Sequence, residues 1–176
     1  MPVLSLVGDK WTTFRALSEL MTNDVLALLQ RPRTASTARL PIGGGKDYPR
    51  TEVALQSWIT SRVSGKFDTF RVRDLLERYG TRADEVMAFL AAGEDHPLHC
   101  TAELSSRELE FMVQNEQVGH LVDVLIRRTS LAFRGLVTVE MLDEITQHLS
   151  VLLGWDDTRA LWEIQHTRNT LLRFTP

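Results

Sequence analysis

A chain of 176 residues, 43% hydrophobic and 24% charged, is long enough to bury a core without staples and fits one soluble globular domain. Its net charge of -3 argues against a nucleic-acid binder, whose affinity comes from a basic face, and the single Cys100 excludes an internal disulfide and fits a reducing cytosol. No apolar run approaches the roughly eighteen residues of a membrane span and no signal peptide precedes the first element, so any membrane contact is expected to be peripheral.

The chain opens with Val3-Leu4-Ser5-Leu6-Val7, an apolar run that reads as a short strand and passes through Gly8-Asp9-Lys10 into a helix starting at Thr12-Thr13. Such a turn aims the first helix amides and the positive end of the helix dipole beyond the strand, and Lys10 adds a full charge there. The arrangement suits an anion or an electron-rich ring. No sheet follows for the strand to join. Phe14, Leu17, Met21, Val25 and Leu28 continue one apolar stripe to about Gln30, where Arg31-Pro32 stops the helix. Thr34 to Asp47 reads as a linker, with Pro41 and three consecutive glycines. Gly43-Gly44-Gly45 is no phosphate loop, since the Lys-Ser/Thr that should follow is absent, and chain flexibility explains it better. Arg31, Arg33, Arg39, Lys46 and Arg50 face one acid, Asp47. The plain reading is a solvated loop; the functional one is a patch for anionic lipid or phosphate.

From Thr51 the pattern is helix after helix. Leu55, Trp58, Ile59 and Val63 give one face, ended by Gly65; Val72, Leu75, Leu76 and Tyr79 give the next, ended by Gly80. Thr81 is expected to cap a helix carrying Val86, Phe89 and Leu90, ended by Gly93. A helix-turn-helix reader of DNA is disfavoured, because the would-be recognition helix opens with Asp84 and Glu85, which phosphates repel. His96, His99 and Cys100 invite a zinc reading, but His120, His148 and His166 are scattered in helices and no fourth ligand has metal spacing, so a plain loop is expected. Ser105 and Glu108 form a capping box for a helix with Leu109, Met112 and Val113 inward. After a break at Gly119, His120 to Arg134 is apolar over more than half its circumference, Phe133 included, and reads as a central helix. Glu116, Asp123, Arg127 and Arg128 are expected to pair with one another and orient helices. Thr138 caps a further helix with Leu142, Ile145, Leu149 and Leu152, ended by Gly154, and Asp156-Asp157 open the last one. The fold expected is all-α, a bundle of about seven or eight helices with a short orphan N-terminal strand.

Five segments carry a family resemblance. Gly8-Asp9-Lys10-Trp11-Thr12-Thr13-Phe14-Arg15 resembles the G-G-K-x-T-T-[FY]-R segment that closes the flavin domain of FAD-dependent, quinone-reducing glycerol-3-phosphate dehydrogenases. Arg78-Tyr79-Gly80-Thr81-Arg82-Ala83 is similar to their R-Y-G-[ST]-x-A turn, and Leu109 to Thr129 resembles their E-x-x-Y-x-V-x-x-E followed by D-x-L-x-R-R-T. Leu153-Gly154-Trp155 matches the Leu-Gly-Trp before the family's final helix, and Leu40-Pro41-Ile42-Gly43-Gly44 looks like its L-P-G-G linker.

The resemblance implies that residues 1–33 are a strand-turn-helix remnant of a flavin domain, 34–50 a linker and 51–176 the C-terminal helical domain. It implies oxidation of sn-glycerol 3-phosphate to dihydroxyacetone phosphate with electrons passing through FAD to quinone. Lys10 then stands on the substrate side, and Gly8, Thr12 and Thr13 approach the pyrimidine end of the flavin, while Asp9 departs from the family's usual glycine. Because no G-x-G-x-x-G is present, the chain itself is expected to be a capping domain that binds no FAD and is inactive alone. The implied partners are its own FAD and substrate domain, quinone and a membrane surface, at the inner face of the cell membrane in the cytoplasm; a homodimer stays open. The competing class is a free-standing helical interaction or dimerisation module.

Overall fold

Side-chain caps set several helix starts. Thr51, Asp68, Thr138 and Asp156 each accept the amide three residues on, at 3.2, 2.7, 3.2 and 2.7 Å, satisfying one of the donors a helix start leaves without a partner. The computed structural model describes residues 3–5, 7, 8 and 10–172. Among these, the α-helices are α1 Phe14–Leu28, α2 Glu52–Thr60, α3 Thr69–Tyr79, α4 Ala83–Ala91, α5 Ser106–Glu116, α6 Val139–Leu153 and α7 Asp157–Leu172. A six-residue π-helix, Asp123–Arg128, lies between α5 and α6. The chain divides into two units, Met1–Ile42 and Gly43–Pro176.

In the first unit α1 is opened by a 3-10 turn, Trp11–Thr13, and has no buried residue. Its apolar stripe is present but only partly covered: Leu17 and Met21 are half-buried, while Phe14 and Leu28 are more than half exposed. The expected strand is not formed among the described residues: Val3, Leu4, Ser5 and Val7 are irregular and exposed. A strand exists through ladder bonds to a neighbour, and none is offered here. Leu6 and Asp9 lie outside the described residues. At its far end α1 is closed by Gln30, at φ 51, with the Arg31 amide returning to the Leu26 carbonyl at 2.9 Å. This left-handed closure stops the helix before Pro32 is reached.

The second unit is helical throughout its core, where α3 packs on α4, α4 on α5, α5 on α6 and α6 on α7. Leu75, Leu76, Val86, Leu109, Leu125 and Ile145 are fully buried at its centre. Gly154, at φ 67, closes α6 as expected, with the Trp155 amide reaching Ser150 O at 3.0 Å. No helix among the described residues is long and apolar enough to cross a membrane.

Several expectations are corrected here. α2 ends at Thr60, five residues before Gly65. Thr81 caps nothing: its hydroxyl lies 3.0 Å from Gly44 O and 2.6 Å from Lys46 O, inside a 3-10 turn Gly80–Arg82. Ser105 stands at the N-cap position of α5 but makes no side-chain cap: its hydroxyl accepts from Arg71 Nη2 at 3.1 Å, and the Glu108 carboxylate is drawn to the same guanidinium. The central helix expected over His120 to Arg134 is the short π-helix followed by turns. The Thr129 hydroxyl donates to Val124 O at 2.7 Å and its backbone is extended, which breaks the helical ladder. Phe133 beyond it is 77% exposed.

Candidate functional site

The opening turn is built by one residue. Thr13 sends both its amide and its hydroxyl to the Lys10 carbonyl, at 3.2 and 2.9 Å, so the Trp11–Thr13 turn closes directly onto α1. Lys10, Thr12 and Thr13 are all exposed. A Cβ on Gly8 would come within 2.7 Å of Leu17 Cδ2, so the chain passes close over the first turns of α1. Lys10, Thr12 and Thr13 thus stand in one short, exposed turn at a helix start, and Gly8 precedes it close to Leu17. Along the side of α1, Phe14, Ser18, Glu19, Arg33 and Leu40 line an open hollow of about 430 Å³. Arg33 is spent within this unit, on Asn23 Oδ1 at 2.7 Å and Glu19 O at 3.0 Å. Glu19 is held below the usual carboxylate range, first by its hydrogen bond from Arg15.

In the helical unit the charged groups are spent on one another. Glu108 is fully buried and accepts from Arg71 Nη2 at 2.6 Å, from Arg78 Nη1 and from the Tyr79 hydroxyl at 2.9 Å. Arg78 continues to Asp74 Oδ2 at 2.9 Å, and both arginines reach Glu103 O at 2.9 and 3.1 Å. Burial works against the charged form of Arg78, but Glu108 and Asp74 outweigh it and hold its pKa above the ordinary value. Burial pushes Asp74 up, countered by Arg78, and pushes the Tyr79 phenol up, reinforced by Glu108. Beside this network an open groove of about 340 Å³ is lined by Asp74, Arg78, Glu103, Arg127, Arg128 and Arg134. Each arginine of the groove already has an acid: Arg134 meets Glu103 at 2.7 Å, Arg128 meets Glu116 at 3.4 Å, and Arg127 meets Asp123. Arg82 also meets Glu116, at 3.5 Å. The expected pairing among Glu116, Asp123, Arg127 and Arg128 is therefore present, and these charges orient segments rather than stand free for chemistry.

Two further carboxylates, one buried and one half-buried, escaped the sequence reading. Glu163 of α7, fully buried, binds His120 Nδ1 at 2.8 Å, Arg159 Nη2 at 2.6 Å and the Leu121 amide at 3.1 Å. Glu144 of α6 accepts the amides of His99 and Cys100 at 2.8 and 2.7 Å. Burial pushes the Cys100 thiol up to about 12, aided by Glu144. Burial alone would raise Glu144, but the Cys100 thiol and the two amides hold it below its ordinary value. Among the described residues, no group of three His, Cys, Asp or Glu side chains could hold a metal ion. The Glu108 network did have a sequence signal: Arg71, Asp74 and Arg78 fall at i, i+3 and i+7, one face of one helix, beside core residues. Glu163 had a local signal only in Arg159, four residues before it, while its other side-chain partner His120 is 43 residues away.

The model of the C-terminal domain of alpha-glycerophosphate oxidase matches residues 35–160. Among curated proteins, the chain is 23% identical over 98% of its length to the mitochondrial glycerol-3-phosphate dehydrogenase of Saccharomyces cerevisiae, covering 30% of that protein. It is 27% identical over 98% of its length to a probable mitochondrial glycerol-3-phosphate dehydrogenase of Dictyostelium discoideum, covering 27% of it. It is 28% identical over 93% of its length to the glycerol-3-phosphate dehydrogenase of Synechocystis, covering 30% of it. The chain thus spans less than a third of the curated relatives it matches. No solved structure matches. The match covers most of the helical unit, its buried arginine network and the segment leading into it, and the chain belongs to the family of the C-terminal domain of alpha-glycerophosphate oxidase.

Proposed function

We propose that this chain is the C-terminal, helical part of an FAD-dependent glycerol-3-phosphate dehydrogenase that oxidises sn-glycerol 3-phosphate to dihydroxyacetone phosphate and passes the electrons to quinone. One observation carries the reading: similarity to dehydrogenases that extends over 98% of the chain, taking in the Lys10 turn as well as the helices. In this reading the helical unit is a cap whose charges are spent on its own rigidity, and the reacting groups come from elsewhere in the enzyme.

The residues present fit one edge of a flavin. Lys10 and the start of α1 form an exposed, tightly closed turn, and an open helix start favours negative charge on a reduced ring. They do not form a dinucleotide cradle, since no G-x-G-x-x-G occurs in the chain. When bound, FAD would supply the two-electron acceptor and the route to quinone. Gly8 lets the backbone approach, Thr13 fixes the turn through Lys10 O, and Lys10 presents its ammonium to the substrate phosphate or a developing oxyanion. Membrane contact in this reading is peripheral, through basic side chains such as Arg31 and Arg39 on the unit that carries α1.

The test is Lys10→Ala in the enzyme that contains this chain, with flavin occupancy measured alongside. One lost charge-assisted contact to a substrate anion is worth about 2–4 kcal/mol of transition-state stabilisation, so kcat/KM should fall about thirty-fold to nearly a thousand-fold at normal flavin content. An unchanged kcat/KM would remove Lys10 from the site and leave its turn with a structural role.

A further inference from the structure

Gly44 and Gly80 meet backbone to backbone. A Cβ on Gly44 would stand 1.9 Å from the Tyr79 carbonyl oxygen and 2.5 Å from Gly80 Cα, and one on Gly80 would stand 2.4 Å from the Gly44 carbonyl oxygen. Neither obstacle is the movable end of a side chain, so both places require glycine. Gly80 also sits at φ 59, ψ -145, backbone that is open to glycine alone. The Thr81 hydroxyl closes the contact from the other side, within hydrogen-bond distance of Gly44 O and Lys46 O. A Cβ on Gly45, by contrast, would meet nothing within 4 Å, and neither would one on Gly43. A hinge that needed only flexibility would treat the three consecutive glycines alike, and this structure does not. The turn they meet is itself rigid, since Tyr79 is buried and its hydroxyl ends on Glu108.

The other end of the same stretch is held within its own unit. Arg33 reaches Asn23 and Glu19 O on α1, the Ser36 hydroxyl lies 3.4 Å from Glu19 Oε1, and Arg15 reaches the Thr37 hydroxyl at 3.3 Å.

We infer that the stretch between α1 and α2 is two pinned straps rather than an open linker. Gly44, Gly80 and Thr81 form a clasp that fixes residues 44–46 to the turn between α3 and α4, and between the straps residues 38–42 carry local turn bonds, the Ala38 amide to Ser36 Oγ and the Leu40 amide to Thr37 O, each at 3.2 Å. An open chain from residue 32 to residue 50 could reach roughly 60 Å, whereas five residues reach roughly 17 Å. The clasp therefore shortens the stretch that can move freely.

Limited trypsin digestion of the chain as it stands tests this, because Arg39 lies in the exposed turn between the straps and Lys46 in the clasp. Each bond is scaled to its cleavage rate in a synthetic peptide of residues 38–50, which corrects for Asp47 following Lys46. Cleavage of a folded segment follows the population of its open form. The bond after Lys46 should be cut at least about tenfold more slowly than the bond after Arg39. Gly45→Ala should leave that ratio unchanged, while Gly44→Ala should bring the two rates within a few-fold of each other, with the helical circular dichroism spectrum retained. If Gly44→Ala unfolds the unit, Thr81→Val decides: it removes the hydroxyl without adding bulk and should speed cleavage at Lys46 alone. Equal scaled rates in the wild type would overturn the inference. So would identical behaviour of Gly44→Ala and Gly45→Ala, or a Thr81→Val that leaves Lys46 protected.

Discussion

Glu108 has three partners, and each of them answers to its charge. Removing the carboxylate leaves Arg71 and Arg78 largely out of water with one anchor fewer, and leaves the Tyr79 hydroxyl without its acceptor. Breaking a buried ion pair from one side costs about 3–5 kcal/mol. Glu108→Ala should lose that much in urea unfolding, with the far-ultraviolet spectrum retained at low denaturant; a loss under about 1 kcal/mol would mean that the arginines find other partners. Glu144 makes a different prediction because its pKa is lowered on folding from an ordinary value of 4.5. A carboxylate whose folded pKa is depressed contributes stability that is present above its unfolded pKa and is lost as pH falls through the folded one. Stability should therefore decline as pH drops below about 4.5, and Glu144→Gln should flatten that decline, measured as the unfolding midpoint between pH 3 and 6. Asp74 acts in the opposite sense, because its pKa is raised: its contribution is largest in acid and fades as pH rises through the folded value. Glu144→Gln with an unaltered acid slope would contradict the assignment.

At the scale of the element, the segment from His120 to Phe133 shows where local reading stops. Its apolar composition suits a central helix, and Leu121, Val124, Leu125 and Leu131 are indeed buried. Yet the segment is tied at fixed points by groups outside it or by its own polar side chains: Glu163 holds the Leu121 amide, Asp123 takes the amides of Gly119 and His120 at 3.1 and 2.9 Å, and Thr129 turns back on Val124. Those ties leave Phe133 outside. Phe133→Ser should thus change stability by no more than about 0.5 kcal/mol, while Leu131→Ala should cost about 2–5 kcal/mol. Urea midpoints of the two variants decide it, and a large loss for Phe133→Ser would restore the helix reading. Helices with a side-chain cap at their start and a three-or-four spacing behind it, such as those after Thr51 and Thr138, were legible because every signal lies within a few residues. Ser105 and Glu108 carried the same local signature and misled, since the groups that claim Glu108 lie 29 to 37 residues away. The three glycines are ambiguous for the same reason: flexibility and close approach call for the same residue, and only Tyr79 and Gly80 tell them apart.

At the scale of the whole molecule, the chain holds a helical unit that keeps its charges to itself and a short first unit whose helix buries nothing. Lys10, Thr12 and Thr13 lie in one exposed turn with Gly8 just before it, and the strand expected to lead into that turn is not formed among the described residues. In the proposed reading, a partly uncovered apolar helix and an exposed cationic turn gain a use when set against a flavin domain, and the chain covers under a third of the dehydrogenases it matches. The most direct measurement compares two proteins: the chain of residues 1–176 alone, and the whole product of the gene that encodes it. Flavin content is read from visible absorbance, and turnover of sn-glycerol 3-phosphate is followed with a quinone acceptor. The whole product should carry FAD and turn over, while the chain alone should be colourless and inactive. A chain that carries stoichiometric flavin by itself, or a gene product that binds no flavin and leaves glycerol 3-phosphate untouched, would contradict it.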